Sequence, residues 1–180
     1  MLVVCTANIC RSPMAAAFLT RALDRVEVPA QVVSAGTRAR AGSTVPPAVL
    51  ETMRGFGIEL SEHSSRELTP QLAQGAHVVL GLTREHLREA VMMDPRLLDA
   101  GFTLKELARR AGVQGFRPVT DPLEPWLATL VANRDVMDLM GADPFDDVSD
   151  PIGGPLVGYQ DTAAELSQLI DRIVRTVWPG

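Results

Sequence analysis

The chain has 180 residues, 46% of them hydrophobic, with no extended low-complexity run, enough for one domain with a sizeable core. Its formal charge of −5 and pI near 5.2 exclude a general nucleic-acid surface, so any anionic ligand has to be attracted locally. No apolar run approaches the ~18 residues of a membrane span, and the start lacks a positively flanked signal segment, which implies a cytoplasmic protein without membrane contact.

Leu2, Val3 and Val4 read as a buried strand, and Met14 to Arg25 reads as a helix with Met14, Ala15, Ala17, Phe18, Leu19 and Leu23 on its apolar face. Between them runs Cys5-Thr6-Ala7-Asn8-Ile9-Cys10-Arg11-Ser12-Pro13. A loop entering a helix N-terminus presents unpaired backbone N–H groups and the positive end of the helix dipole, a cradle for phosphate. A thiol in that setting, beside a guanidinium, is favoured as the nucleophilic thiolate. Arg11 offers a planar fork to two equatorial oxygens of a phosphoryl group. Ser12 is placed to give its hydroxyl to Cys5 or to cap a helix with Pro13 at its first position. Asn8 suits an internal brace, since its amide bonds loop backbone and it tolerates an unusual dihedral. The combination describes nucleophilic phosphoryl transfer. A buried, inert Cys5 would account for neither the arginine nor the Ser-Pro step.

Gln31 to Ser34 reads as the second strand, followed by an Arg/Gly/Ser-rich loop to Thr44. Pro46 and Pro47 open a helix carrying Ala48, Val49, Leu50 and Met53, and Gly55 and Gly57 close it. A short helix over Pro70 to Gln74 precedes a strand from His77 to Leu82, after which Thr83 caps a helix from Arg84 to Val91. Phe102 and Thr103 form a short fourth strand before a helix over Lys105 to Ala111. One amphipathic helix is expected from Pro125 to Met140, its stripe of Trp126, Leu130, Val131 and Leu139 packing into the core or serving a partner. An acidic loop follows, and Tyr159 to Val177 reads as the last helix. Alternating strands and helices indicate a parallel α/β sheet. Both cysteines lie in the cradle and His63, His77 and His86 lack zinc-ligand spacing, so neither a structural disulfide nor a metal site is expected.

Cys5-x5-Arg11-Ser12-Pro13 resembles the signature of the low-molecular-weight protein tyrosine phosphatases, Cys-x-Gly-Asn-x-Cys-Arg-Ser, at Cys5, Asn8, Cys10, Arg11 and Ser12. Ser34-Ala35-Gly36-Thr37, Leu60-Ser61-x-His63 and Leu82-Thr83-Arg84-Glu85-His86 resemble bacterial members, leaving 113–147 as the divergent stretch. Ala7 stands where the family has glycine; a left-handed backbone there would cost alanine roughly 1 kcal/mol and shift the loop. Met1 stands almost on the first strand, a short start for the family that leaves open a natural start upstream.

The resemblance implies a single domain over 1–180 with a three-layer α/β/α architecture. Its four-stranded parallel sheet would run in order 2-1-3-4, with the site at the carboxyl ends of the strands. It implies Cys5 as nucleophile, Arg11 as phosphoryl clamp and Asp150 as general acid, because Asp150-Pro151-Ile152-Gly153-Gly154 resembles the family's acid loop just before the last helix. A plain turn carboxylate, or one of Asp94, Asp121 and Asp143 before their own prolines, is the alternative. Thr6, Ala7, Asn8, Ile9, Cys10 and Ser12 would surround the phosphoryl group, with Arg40 and Ile152 at the mouth in place of the aromatic wall common in tyrosine phosphatases. Cys10 would be a reversible disulfide partner of Cys5 or a packed thiol. No metal or cofactor is implied.

The implied activity is hydrolysis of phosphotyrosine on a protein or peptide through a cysteinyl-phosphate intermediate, with inorganic phosphate or another oxyanion fitting the same cradle. Ile9 favours phosphotyrosine. Gly153-Gly154 resembles the arginine phosphatases of the family, although those usually carry threonine at the position of Ile9. Arsenate reduction needs further cysteines that this chain lacks. Outside enzymes, the alternative is a non-catalytic phosphate- or phosphopeptide-binding module, which Ala7 alone supports.

Overall fold

Apolar side chains of β1 (Leu2–Cys5) alternate between two cores, and this alternation organises the molecule. Val3 and Cys5 face one buried cluster, while Leu2 and Val4 face another. A strand buried on both sides belongs at the centre of a parallel sheet covered by helices on both faces. The computed structural model, which describes residues 1–132 and 134–179, places it there. β1 pairs in parallel with β2 (Val33–Gly36) and β3 (Val79–Gly81), and β3 pairs with β4 (Gly101–Thr103), giving the order β2-β1-β3-β4.

One face of the sheet is covered by α1 (Arg11–Arg25), α2 (Pro47–Gly55), α6 (Leu104–Gln114) and α8 (Leu156–Val177). Met14, Phe18, Leu107, Leu166 and Ile170 fill the space above Val3, Leu80 and Phe102. The opposite face holds α3 (Pro70–Gln74), α4 (Arg84–Met93) and α5 (Leu97–Ala100), with Ala73, Leu87, Ala90 and Leu97 against Leu2, Val4 and Val79. Thr69, Thr83 and Thr103 cap α3, α4 and α6 through their side chains. Among the described residues, no helix is long and apolar enough to cross a membrane.

The segment from Pro125 to Met140 is not one helix. α7 (Leu123–Leu130) ends at its C-cap Val131, and a separate 3₁₀ turn, Val136–Leu139, follows; Asn133, inside the expected helix, lies outside the described residues. The break has a local cause. Asp135 accepts the Met137 N–H while Asp138 reaches back to the Asp135 N–H, a capping box that starts a new turn. Arg134 is drawn inward to Glu106 at 3.1 Å and to the carbonyls of Leu98 and Gly101, stacking over Phe102. Trp126, Leu130 and Val131 join the α1/α8 core, whereas Leu139 packs with the cluster on the other face, which a single straight helix could not achieve. The second strand also lies two residues beyond its expected place, and α5 has no counterpart in the sequence reading.

Candidate active site

Residues 6–10 connect β1 to α1 at the carboxyl edge of the sheet, where helix N-termini and strand ends converge. α1 starts at Arg11, three residues earlier than its apolar pattern suggests, so Pro13 is its third residue and Ser12 its second. Cys10 is the N-cap, with no side-chain capping bond and no acidic residue in the first turn, which leaves the helix's leading N–H groups to an anion.

Ser12 therefore does not cap the helix; it reaches the nucleophile candidate. Cys5 Sγ lies 2.9 Å from Ser12 Oγ and accepts the Asn8 N–H at 3.2 Å. The thiol is 3% exposed, at the bottom of the cradle.

The left-handed residue of the loop is Asn8, with φ 53°, and not Ala7, so the alanine carries no such cost. Asparagine tolerates this conformation and here uses its whole amide. Nδ2 donates to Ser12 Oγ at 2.9 Å and Ser34 Oγ at 2.8 Å, and Oδ1 accepts the Arg66 N–H at 2.9 Å. His63 Nε2 donates to the Asn8 carbonyl at 2.7 Å.

Gly36, at the end of β2, gives the loop room. A Cβ there would sit 2.5 Å from the Thr6 carbonyl oxygen and 2.8 Å from the Asn8 nitrogen, both backbone. Gly36→Ala is expected to lower stability by about 2–3 kcal/mol and to weaken phosphate binding, because the loop must shift. Gly55→Ala, where the new Cβ meets nothing within 4 Å, is expected to be neutral or slightly stabilising. Urea unfolding of both variants checks the contrast, and equal stabilities would contradict it.

Arg11 is 5% exposed, and its guanidinium spans the site. Nη1 donates to the Val148 carbonyl at 3.2 Å, and Nη2 meets Asp150 Oδ2 at 2.5 Å and Thr6 Oγ1 at 3.4 Å. The structure thus brings Cys5, Arg11 and Asp150 to one place from positions up to 145 residues apart in sequence. Asp150 is half-exposed, and its Oδ1 accepts the N–H of Ile152, whose side chain is exposed beside it. Ile9 is half-buried in the loop. Arg40 is exposed; its carbonyl accepts the hydroxyls of Ser43 and Ser65, which fixes the neighbouring loop.

The loop that carries Asp150 is held by the acidic stretch before it. Asp146, almost buried, takes Arg84 at 2.7 Å and Arg109 at 2.7 Å, and Asp143 takes Arg84 at 2.8 Å. Burial alone would raise the Asp146 pKa, but hydrogen bonds from Arg109 and Arg84 hold it below the usual carboxylate range. The Val148 N–H donates to the Leu82 carbonyl at 2.8 Å, completing the tie two residues before Asp150.

Cys10 is buried and reduced, as is Cys5. Burial, together with the charges of Asp150 and Cys5, pushes the Cys10 thiol up to about 12, so it stays protonated at neutral pH. Two histidines that the sequence assigned only ordinary roles, His63 and His86, both touch the cradle; His77 pairs with Glu124 on the surface. The available signal for His86 was its place in the first turn after β3, at the carboxyl edge of the sheet.

Residues 1–139 match the family model described as low molecular weight phosphotyrosine protein phosphatase. A probable low molecular weight protein-tyrosine-phosphatase, EpsP of Ralstonia solanacearum, is 39% identical over 107 residues, covering 59% of this chain and 71% of that protein. A protein-arginine-phosphatase of Geobacillus stearothermophilus is 33% identical over 174 residues, covering 96% of this chain and 92% of that protein. Among solved structures, a YwlE mutant from Bacillus subtilis superposes with a TM-score of 0.71 at 28% identity, covering 97% of this chain and 95% of that one. A low molecular weight protein tyrosine phosphatase from T. tengcongensis gives 0.72 at 29% identity, with coverage of 97% and 96%.

Proposed function

The chain belongs to the low-molecular-weight phosphotyrosine protein phosphatase family, and from that premise we propose that it hydrolyses phosphotyrosine on proteins, with Cys5 as nucleophile, Arg11 as clamp and Asp150 as general acid. The observation that carries the reading is one cluster: Cys5 Sγ beneath the uncapped N-terminus of α1, 2.9 Å from the Ser12 hydroxyl, with Arg11 and Asp150 in contact across the site.

Arg11 is a donor only, and of its fork Nη2 serves the Asp150 carboxylate here while Nη1 donates to the Val148 carbonyl. A phosphoryl group entering the cradle takes over that fork and the free amides of α1, and Asp150 is released to face the leaving oxygen. Asp150 takes up a proton from solvent as it leaves Arg11; Cys5 attacks phosphorus in line, the bond from phosphorus to the tyrosyl oxygen breaks, and the Asp150 proton goes to that oxygen. In the second step Asp150 takes a proton from water, whose oxygen attacks phosphorus; the sulfur–phosphorus bond breaks, releasing phosphate and the thiolate. Ser12 and the Asn8 N–H donate to the sulfur when it is charged. The reading includes a cytoplasmic setting, where phosphorylated proteins are at hand and Cys5 and Cys10 stay reduced.

Ile9 and Ile152 offer apolar walls suited to an aromatic ring. A second reading, phosphoarginine, is favoured by one observation: two relatives that each match 96% of the chain are named protein-arginine-phosphatase. Phosphate release from matched phosphotyrosine and phosphoarginine peptides separates the two. The expected result is a kcat/KM at least about tenfold higher for phosphotyrosine, a difference of about 1.4 kcal/mol in barrier. The reverse preference would establish the second reading, and binding without turnover of either peptide would leave an anion-binding module.

A further inference from the structure

His86 is 2% exposed, in the first turn of α4, and the mechanism above does not use it. Both ring nitrogens are engaged. Nε2 lies 2.9 Å from Thr6 Oγ1 and Nδ1 lies 2.9 Å from Thr83 Oγ1. Thr6 Oγ1 in turn accepts from Arg11 Nη2 at 3.4 Å. One line of polar contacts therefore runs from Thr83 through His86 and Thr6 to the guanidinium that meets Asp150.

The donors along this line can be assigned. Arg11 only donates, so Thr6 turns a lone pair towards it. Thr83 Oγ1 accepts the backbone N–H of His86 as the α4 cap. Each hydroxyl keeps a second lone pair, so the charge of Arg11 chooses between the two remaining orders: the Thr6 proton goes to Nε2, and the ring's Nδ1–H goes to Thr83. The opposite tautomer would aim the positive end of the imidazole dipole at the Arg11 cation. The ring is neutral, as this order of bonds requires: burial, with added repulsion from Arg11 and Arg38, pushes its pKa down to about 3.

The geometry points to His86 as a positioning residue for phosphoryl transfer: it fixes the Thr6 hydroxyl and, through it, the outer nitrogen of Arg11. The inference rests on the phosphatase reading given above. When a phosphoryl group displaces Asp150 from Arg11, the Thr6 contact remains to hold the guanidinium in place. Hydrogen bonds to the equatorial oxygens gain most in the transition state, so a misaimed fork costs kcat more than KM.

A double-mutant cycle with p-nitrophenyl phosphate tests this. His86→Asn and Thr6→Val are each expected to lower kcat about tenfold per folded molecule, with KM changed less than about twofold. The double variant should be no slower than the slower single one, because both act along one path. Losses that multiply to about a hundredfold would overturn the inference, as would single variants with unchanged kcat.

Since replacing a buried histidine can cost stability, ¹⁵N NMR of the wild-type imidazole gives an independent reading. A neutral ring protonated on Nδ1 from pH 5 to 8 is expected, and a proton on Nε2 or a charged ring would overturn the assignment. Wild type that turns over no phosphomonoester would overturn the phosphatase reading and this inference with it. Normal wild-type turnover with a multiplicative cycle, or with the proton on Nε2, overturns this inference alone.

Discussion

Cys5→Ser is expected to release no measurable phosphate from a phosphotyrosine peptide, a fall of roughly 10⁴-fold or more, while still binding inorganic phosphate. The substitution removes one atom's chemistry and little else. Serine at position 5 remains within reach of Ser12 and the Asn8 N–H, and the α1 N-terminus and Arg11 are untouched. A hydroxyl is held as its anion far less readily than a thiol, however, and among the described residues no basic side chain is hydrogen-bonded to the Cys5 sulfur to take its proton. Binding and turnover should therefore separate in this variant. Isothermal titration with phosphate and a phosphate-release assay on the same sample check it, and residual turnover within about tenfold of wild type would rule Cys5 out as nucleophile.

Asp150→Asn is expected to lower kcat on a phosphotyrosine peptide by roughly 10²–10⁴-fold, the range for loss of a positioned acid. The loss should be smaller for p-nitrophenyl phosphate, whose leaving oxygen departs readily without a proton. This dependence on the leaving group distinguishes an acid from a carboxylate that merely orders Arg11, since the 2.5 Å contact between them would weaken equally for every substrate. An equal loss on both substrates would assign Asp150 the ordering role. The same carboxylate serves the second step, so with p-nitrophenyl phosphate, whose first step needs no acid, the asparagine variant should also accumulate the intermediate.

The catalytic loop was legible because its signals are local. An apolar run, Cys-x5-Arg, Ser-Pro and a helical pattern follow one another within 25 residues, and the structure joins them in that order. The sheet order came from the resemblance, and pairing bears it out. Strand limits were harder to place, since short parallel strands buried on both faces lack alternation; β2 consequently begins at Val33 and not Gln31. The divergent stretch failed at Arg134, whose inward pull towards Glu106 is a tertiary effect, although Asp135 and Asp138 carried a capping-box spacing that marks a new turn. The acidic loop gave no sign of its ties because the cations that hold Asp143 and Asp146, Arg84 and Arg109, stand on other elements. Ala7 drew attention that belonged to Asn8: composition shows which residue is unusual for a motif, but only the backbone shows which one is left-handed. His86 meets Thr6 across 80 residues, so its place in the first turn after β3, and not its spacing from the loop, is what points to the site.

Hydrolysis by this route passes through a covalent phosphoryl intermediate at Cys5. Acid quenching of Asp150→Asn during turnover of ³²P-labelled p-nitrophenyl phosphate, followed by peptide mapping, looks for it directly. Label approaching one phosphate per molecule on the peptide containing Cys5 is the predicted result. Label on any other residue, or continued turnover with none on Cys5, would contradict it.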